Sequence, residues 1–299
     1  MPASGPSPRL RALVAVGALV AGASLSGCAA FSDADTAGTQ VATAFYPLQF
    51  VVQRVAGDRA EVTNLTRPGQ EPHDLELDVR ETADIARADL VVYERGFQPA
   101  VDAGVEQSAT GEVLDATDVG LEKDGEGRPD PHFWLDPARM ARLTDLVAAR
   151  LARIDPTHAD AFRANADTLE QQLTALDTAY AEGLADCARH TVVVSHEAFG
   201  YLAKYGLRLE AVAGLSPDAE PTPADLARLQ ELIGTDGITT VFSERLGSPR
   251  VTASLARDTG VASAVLDPIE GLSDQTPGAD YLSLMRENLR ALEEANGCR

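Results

Sequence analysis

Residues 155–195 read DPTHADAFRANADTLEQQLTALDTAYAEGLADCARHTVVVS. An Asp-Pro pair starts a helix: the Asp side chain caps free N–H groups, and proline at the first helical position gives up no hydrogen bond. No Gly or Pro interrupts residues 159–182, and Phe162, Leu169, Leu173, Leu176 and Tyr180 recur close to helical spacing. A helix from Ala159 to about Leu184 spans roughly 40 Å at 1.5 Å per residue, enough to cross between two lobes. The valine-rich run Thr191–Ser195 that follows reads as a buried strand.

Short strands and helices alternate on both sides of this connector. Upstream, Val41–Phe45, Arg59–Leu65, Asp89–Tyr93 and Gly111–Ala116 read as strands, with helices over Pro47–Val55, Val79–Ala88 and Pro137–Arg153. Downstream, Thr191–Ser195, Arg208–Ala213, Ile238–Ser243 and Ala262–Leu266 are strands. Helices are expected through Tyr201 and from about Pro223, Pro249 and Gly278. Such alternation predicts parallel βαβ units. The expected fold is therefore α/β: two parallel-sheet lobes, residues 40–158 and 186–299, joined by a helix over 159–185.

The chain has 299 residues, 46 acidic against 25 basic, for a net charge of −21. Lys123 and Lys204 are its only lysines. No basic stripe is available for phosphates, which argues against a nucleic-acid partner. The N-terminus has Arg9 and Arg11, an apolar run Ala12–Ala23 too short to span a bilayer, and then Leu25-Ser-Gly-Cys28. That is the pattern of a secretory signal over residues 1–27. Leu-Ser-Gly-Cys resembles the bacterial lipobox, which implies a lipidated Cys28 and a membrane contact through lipid only. Residues 28–39 are small and polar, as in a flexible tether. Cys187 and Cys298 then remain, and an even remainder in an oxidising compartment points to a disulfide, the alternative being two buried thiols.

Five histidines are present. His158 beside a helix start and His190 before a strand read as surface residues. His73, in Pro68-Gly-Gln-Glu-Pro-His-Asp74, follows a strand. His132, in Asp130-Pro-His-Phe-Trp-Leu-Asp-Pro137, precedes a capped helix. His196 directly follows Thr191–Ser195. In open α/β sheets ligands bind outside the carboxyl ends of strands. Three imidazoles and a carboxylate suit a tetrahedral zinc ion. Spacing alone leaves that open, because none of the compact metal motifs is present.

The segments around these histidines resemble the metal-binding family of ABC-transporter solute-binding proteins, the zinc and manganese uptake group. Pro68–Asp74, His132–Pro137, Ser195–Leu207, Val241-Phe-Ser-Glu244 and Leu266-Asp-Pro268 match its motifs in order across nearly the whole mature chain. The resemblance implies a metal site between two lobes, with His73, His132, His196 and Asp267 as ligands. Glu244 is the alternative ligand or orients a ligand histidine. It also implies a monomeric receptor on the outer face of the cell membrane that delivers its ion to an ABC permease. The third imidazole favours Zn2+ over Mn2+. Gly120–Arg128, where many zinc members carry a His-rich loop, is acidic and has no His. Glu197 reads as a first-turn acid of the helix after His196. No Gly-x-x-x-x-Gly-Lys-Ser/Thr loop is present, so the chain hydrolyses no ATP itself. A zinc hydrolase and a surface adhesin are the rival readings; a hydrolase keeps one metal position open for water, whereas a binder fills it.

Overall fold

The computed structural model describes residues 38–299 apart from 125, 126 and 218. The expected signal peptide, Cys28 and nearly all of the expected tether lie outside the described residues. Two four-stranded parallel sheets form the frame. The first contains β1 (Thr39–Thr43), β2 (Ala60–Asn64), β3 (Leu90–Tyr93) and β4 (Glu112–Asp115), in the order β2-β1-β3-β4. The second contains β5 (Thr191–Val194), β6 (Arg208–Ala211), β7 (Thr240–Ser243) and β8 (Ala262–Val265), in the order β6-β5-β7-β8. Both sheets therefore reverse their winding beside the first strand, and such a switch point opens a crevice at the carboxyl ends.

Helices α1 (Tyr46–Ala56), α2 (Val79–Arg87) and α3 (Pro99–Ser108) cross between the strands of the first sheet. The sequence reading missed α3. Its signals are short: Pro at the first turn and Val101 and Val105 four apart, both buried. Helix α4 (Pro137–Ile154) starts at Asp136, whose side chain accepts the Ala138 N–H. Helix α5 (Ala159–Gly183) has 25 residues, or about 37 Å. Its buried stripe is Phe162, Ala166, Leu169, Leu173, Leu176 and Tyr180. The stripe packs on α1 and α4 of the first lobe and on α8 (Tyr281–Asn296) of the second. Helices α6 (Pro223–Thr235) and α7 (Arg250–Thr259) complete the second lobe.

One continuous apolar core runs through both lobes, with Trp134, Tyr180 and Tyr281 fully buried in it. The buried Tyr180 hydroxyl donates to the Met285 carbonyl, so the polar tip is satisfied where helix meets lobe. The segment after β5 is not an α-helix. Residues 195–198 form a bend and turn, and Gly200–Tyr205 is a 3-10 helix. Glu197 therefore sits in a turn; its N–H donates to the Gly214 carbonyl. Cys187 and Cys298 are joined in a disulfide that closes a sequence separation of 111 residues. It lies before β5, at the end of that strand opposite His196. Among the described residues no helix is long and apolar enough to cross a membrane.

Candidate metal centre

The first lobe supplies two histidines from loops at carboxyl ends of its strands. His73 follows β2 in a loop held by buried Gln98, whose amide donates to the Pro72 carbonyl and the Thr66 hydroxyl. Its ring stands edge-on to Phe97, centroids 4.6 Å apart. His132 is fully buried between Asp130 and a one-turn 3-10 helix, Phe133–Leu135. Asp130 Oδ1 takes the His132 backbone N–H at 3.0 Å and its Nδ1 at 2.8 Å. That leaves Nε2 facing away from the carboxylate. Gly200, from the second lobe, closes over Asp130: a Cβ there would lie 2.8 Å from Oδ2.

The second lobe supplies the rest. His196 stands two residues beyond β5 and is fully buried. Its Nδ1 lies 2.9 Å from Oε1 of Glu244, the residue directly after β7. Glu244 thus holds the ring through Nδ1 and leaves Nε2 facing the centre. Glu270, in the loop after β8, is 1 % exposed.

The three Nε2 atoms converge on one oxygen. Glu270 Oε1 lies 3.4 Å from that of His73, 3.5 Å from that of His132 and 3.4 Å from that of His196. A tetrahedral zinc with bonds of about 2.0–2.1 Å sets its ligand atoms about 3.3–3.4 Å apart, so these are tetrahedron edges. As hydrogen bonds they are long, and His132 Nε2, His196 Nε2 and Glu270 Oε2 are buried with no hydrogen-bond partner. Orphaned atoms of this kind cost about 1–3 kcal/mol each unless something binds them. Among the described residues these four side chains are the one group of three or more potential ligands whose donor atoms lie within 4.8 Å of one another.

Electrostatics follow from the same packing. Burial opposes a charge on His196, but Glu244 and Glu270 outweigh it and hold the ring up to about 10. His132 is likewise raised: burial lowers it, and Asp130 and Glu270 more than compensate. Glu270 is held well below the usual carboxylate range; burial opposes this, and the three rings prevail. The metal-free centre thus pairs a buried carboxylate with a protonated His196 ring, and a cation must displace that proton to enter.

Asp267, the expected carboxylate ligand, stands outside this group. Its Oδ2 accepts from Arg245 Nε at 2.8 Å and its Oδ1 from the Ile269 N–H at 2.8 Å. The physical reason is the turn it controls. Ile269 has φ 59° and is fully buried. For a β-branched residue that backbone costs about 1–3 kcal/mol, and neighbours must hold it. Asn288 exchanges two hydrogen bonds with the Asp267 backbone, and Trp134 Nε1 donates to the Pro268 carbonyl at 2.7 Å. This clamp turns Glu270, not Asp267, inward. Asp267 is the first acid beyond the strand; Glu270, the second acid and three residues on, is the sequence signal for the inward carboxylate.

The reading also passed over Asp130 and Glu71. Burial first, and then the charge of Glu270, push the Glu71 carboxyl up to about 8. His158 and His190 take no part. The His158 Nδ1 lies 2.5 Å from Asp155 Oδ2 at the start of α5, and His190 is exposed.

Comparison with known proteins bears on the same cleft. The family described as zinc-uptake complex component A, periplasmic (ZnuA), matches residues 41–295. The zinc-binding lipoprotein AdcA of Streptococcus pneumoniae is 36% identical over 276 residues, which cover 85% of this chain and 55% of AdcA. The chain therefore spans little more than half the length of that relative. The Zn(II)-bound ZnuA-like domain of the same AdcA matches with TM-score 0.76 at 36% identity, covering 87% of this chain and 99% of that domain. The laminin binding protein Lmb of Streptococcus agalactiae, a bifunctional protein with adhesin and metal transporting activity, matches with TM-score 0.79 at 29% identity, covering 86% and 99%.

Proposed function

The chain belongs to the zinc-uptake component A (ZnuA) family, and on that premise we propose that it is the extracytoplasmic receptor of an ABC uptake system. It binds one zinc ion at His73, His132, His196 and Glu270 and passes it to a membrane permease. The observation that carries this reading is the convergence of three Nε2 atoms at 3.4–3.5 Å on Glu270 Oε1, the edge length of a zinc tetrahedron. Zinc is chosen over manganese because three of the four donors are imidazole, whereas manganese suits oxygen donors. A binder is chosen over a zinc hydrolase because Glu270 fills the fourth position, which a catalytic site leaves to water. Cys28 carries the lipid anchor, and the mature chain works as a monomer at the outer face of the membrane.

Asp130 and Glu244 fix the rings so that each Nε2 points at the ion and raise their basicity. His73 and His132 come from one lobe, His196 and Glu270 from the other, so the ion ties the lobes together. The test is calorimetric titration of the metal-free mature chain with zinc and with manganese. One zinc per chain, bound at least tenfold tighter than manganese, is the expected outcome. Equal affinities would sink the zinc assignment, and tight zinc binding by a Glu270→Ala variant would sink the ligand set.

A further inference from the structure

A cavity of about 320 Å3 opens beside the imidazole cluster. Glu71 and Asp74 of the first lobe and Ser195, Glu220 and Glu244 of the second line it, and among the described residues no Lys, Arg or His does. Glu244 is 7 % exposed, and its Oε1 is taken by His196 Nδ1. Among the described residues its Oε2 has no hydrogen-bond partner, nor has Ser195 Oγ, and both atoms are buried. An unpartnered carboxylate oxygen and an unpartnered hydroxyl on the wall of a chamber whose exposed part carries Asp74 and Glu220 call for a donor or a cation.

Size decides between a bare and a hydrated ion. Six waters at about 30 Å3 each need about 180 Å3, which the chamber holds. Among the described residues no second group of three ligand atoms lies within 4.8 Å of one another. An ion here therefore keeps its waters and is held through them. We infer that this chamber is an entry site for a hydrated divalent cation, which Glu244, Asp74 and Glu220 hold by its water shell before the imidazoles and Glu270 take the metal. The inference rests on the zinc-receptor reading and adds the route by which the ion arrives. Carboxylate-lined clefts with low-dielectric walls raise cation on-rates.

The experiment is stopped-flow zinc association with the metal-free mature chain at low and high salt. The chamber variant is Asp74→Asn/Glu220→Gln, whose two positions are exposed and lie outside the four converging side chains. Asp160→Asn/Glu182→Gln, exposed on α5, removes the same charge elsewhere. The association rate is expected to fall about 3- to 10-fold at low salt for the chamber variant. The gap should close at about 1 M salt, where the Debye length is about 3 Å. Dissociation from the double variant should match the parent. Rates within twofold of the parent, or an equal fall in the α5 control, would overturn the chamber and leave the receptor reading intact. A parent chain that binds no zinc at equilibrium would overturn that reading and the chamber with it.

Discussion

The two lobes share a strand order and hold their ligands by different means. In the first lobe β3 is buried throughout, and its ligand loops lean on large side chains: Phe97 beneath His73, Trp134 against His132. In the second, β5 and β7 are buried along most of their length, and the residues beyond them depend on polar ties. His196 is set by Glu244, and Glu270 by a strained turn that Asp267, Asn288 and Trp134 hold in place. Aromatic packing and hydrogen bonds from Asp130 and Gln98 together fix the first pair of donors; the second pair rests on hydrogen bonds. Trp134, from the first lobe, reaches over to steady the second lobe's turn, so neither half of the site is independent.

The largest effect should come from removing a ring. His132→Ala in one lobe and His196→Ala in the other should each cost more than about 100-fold in zinc affinity, since outer-shell partners alone are worth about 10–100-fold. His158→Ala and His190→Ala should stay within twofold of the parent. Thermal melts sharpen the point: a ligand at 100 times its Kd adds about 2.7 kcal/mol to stability, and that gain should vanish in both ring variants. A gain that survives in either variant would mean that the ion does not bridge the lobes.

Next comes the clamp. Asp267→Ala should lose about 10–100-fold in zinc affinity, as removal of an outer-shell partner does. Asp267→Asn keeps an acceptor for the Ile269 N–H and loses the Arg245 ion pair, so it should fall between Ala and the parent. Cobalt substitution separates a positioning role from ligation. The Asp267→Ala spectrum should keep its four-coordinate form, whereas Glu270→Ala should change it. The reverse pattern would restore Asp267 as the ligand.

The pH dependence compares the metal-free and loaded centres. His196, raised to about 10, is protonated at neutral pH in the metal-free chain. Zinc binding at pH 7.5 should release at least one proton per ion, read by calorimetry in buffers of different ionisation enthalpy. Affinity should keep rising as pH approaches 10. Stability runs the other way in the metal-free chain. The contribution of the His196 ring's pairing with Glu244 and Glu270 is fully present below the unfolded histidine pKa of about 6.5 and is lost as pH rises through about 10. No proton release at pH 7.5 would contradict the protonated His196 ring.

The smallest effect on the site should follow loss of the disulfide. Cys187→Ala/Cys298→Ala should lower stability by about 2–5 kcal/mol in denaturant melts. Zinc affinity should change by less than twofold, because the bridge lies at the opposite end of β5 from His196. A large affinity loss would mean that the second lobe holds its ligands through global rigidity rather than through the local ties named above.

Much of this was legible locally. Alternating strands and helices, the uninterrupted run behind α5 and three histidines beyond strand ends are all properties of short segments. Backbone geometry makes such segments readable one at a time. The choice between Asp267 and Glu270 was not. Both acids sit in one loop, three residues apart, and local sequence rewards the one nearer the strand. Which of them points inward is decided by Arg245, Asn288 and Trp134, from three other elements, acting on a backbone that Ile269 would not adopt alone. The partners of the rings, Asp130 and Glu244, divide the same way: one stands two residues from its histidine, the other 48 residues away. The sequence by itself determined the layers, the connector and the three imidazoles. Only the tertiary structure decided the fourth donor, because a side chain's direction at a strained turn is set by contacts made across the fold.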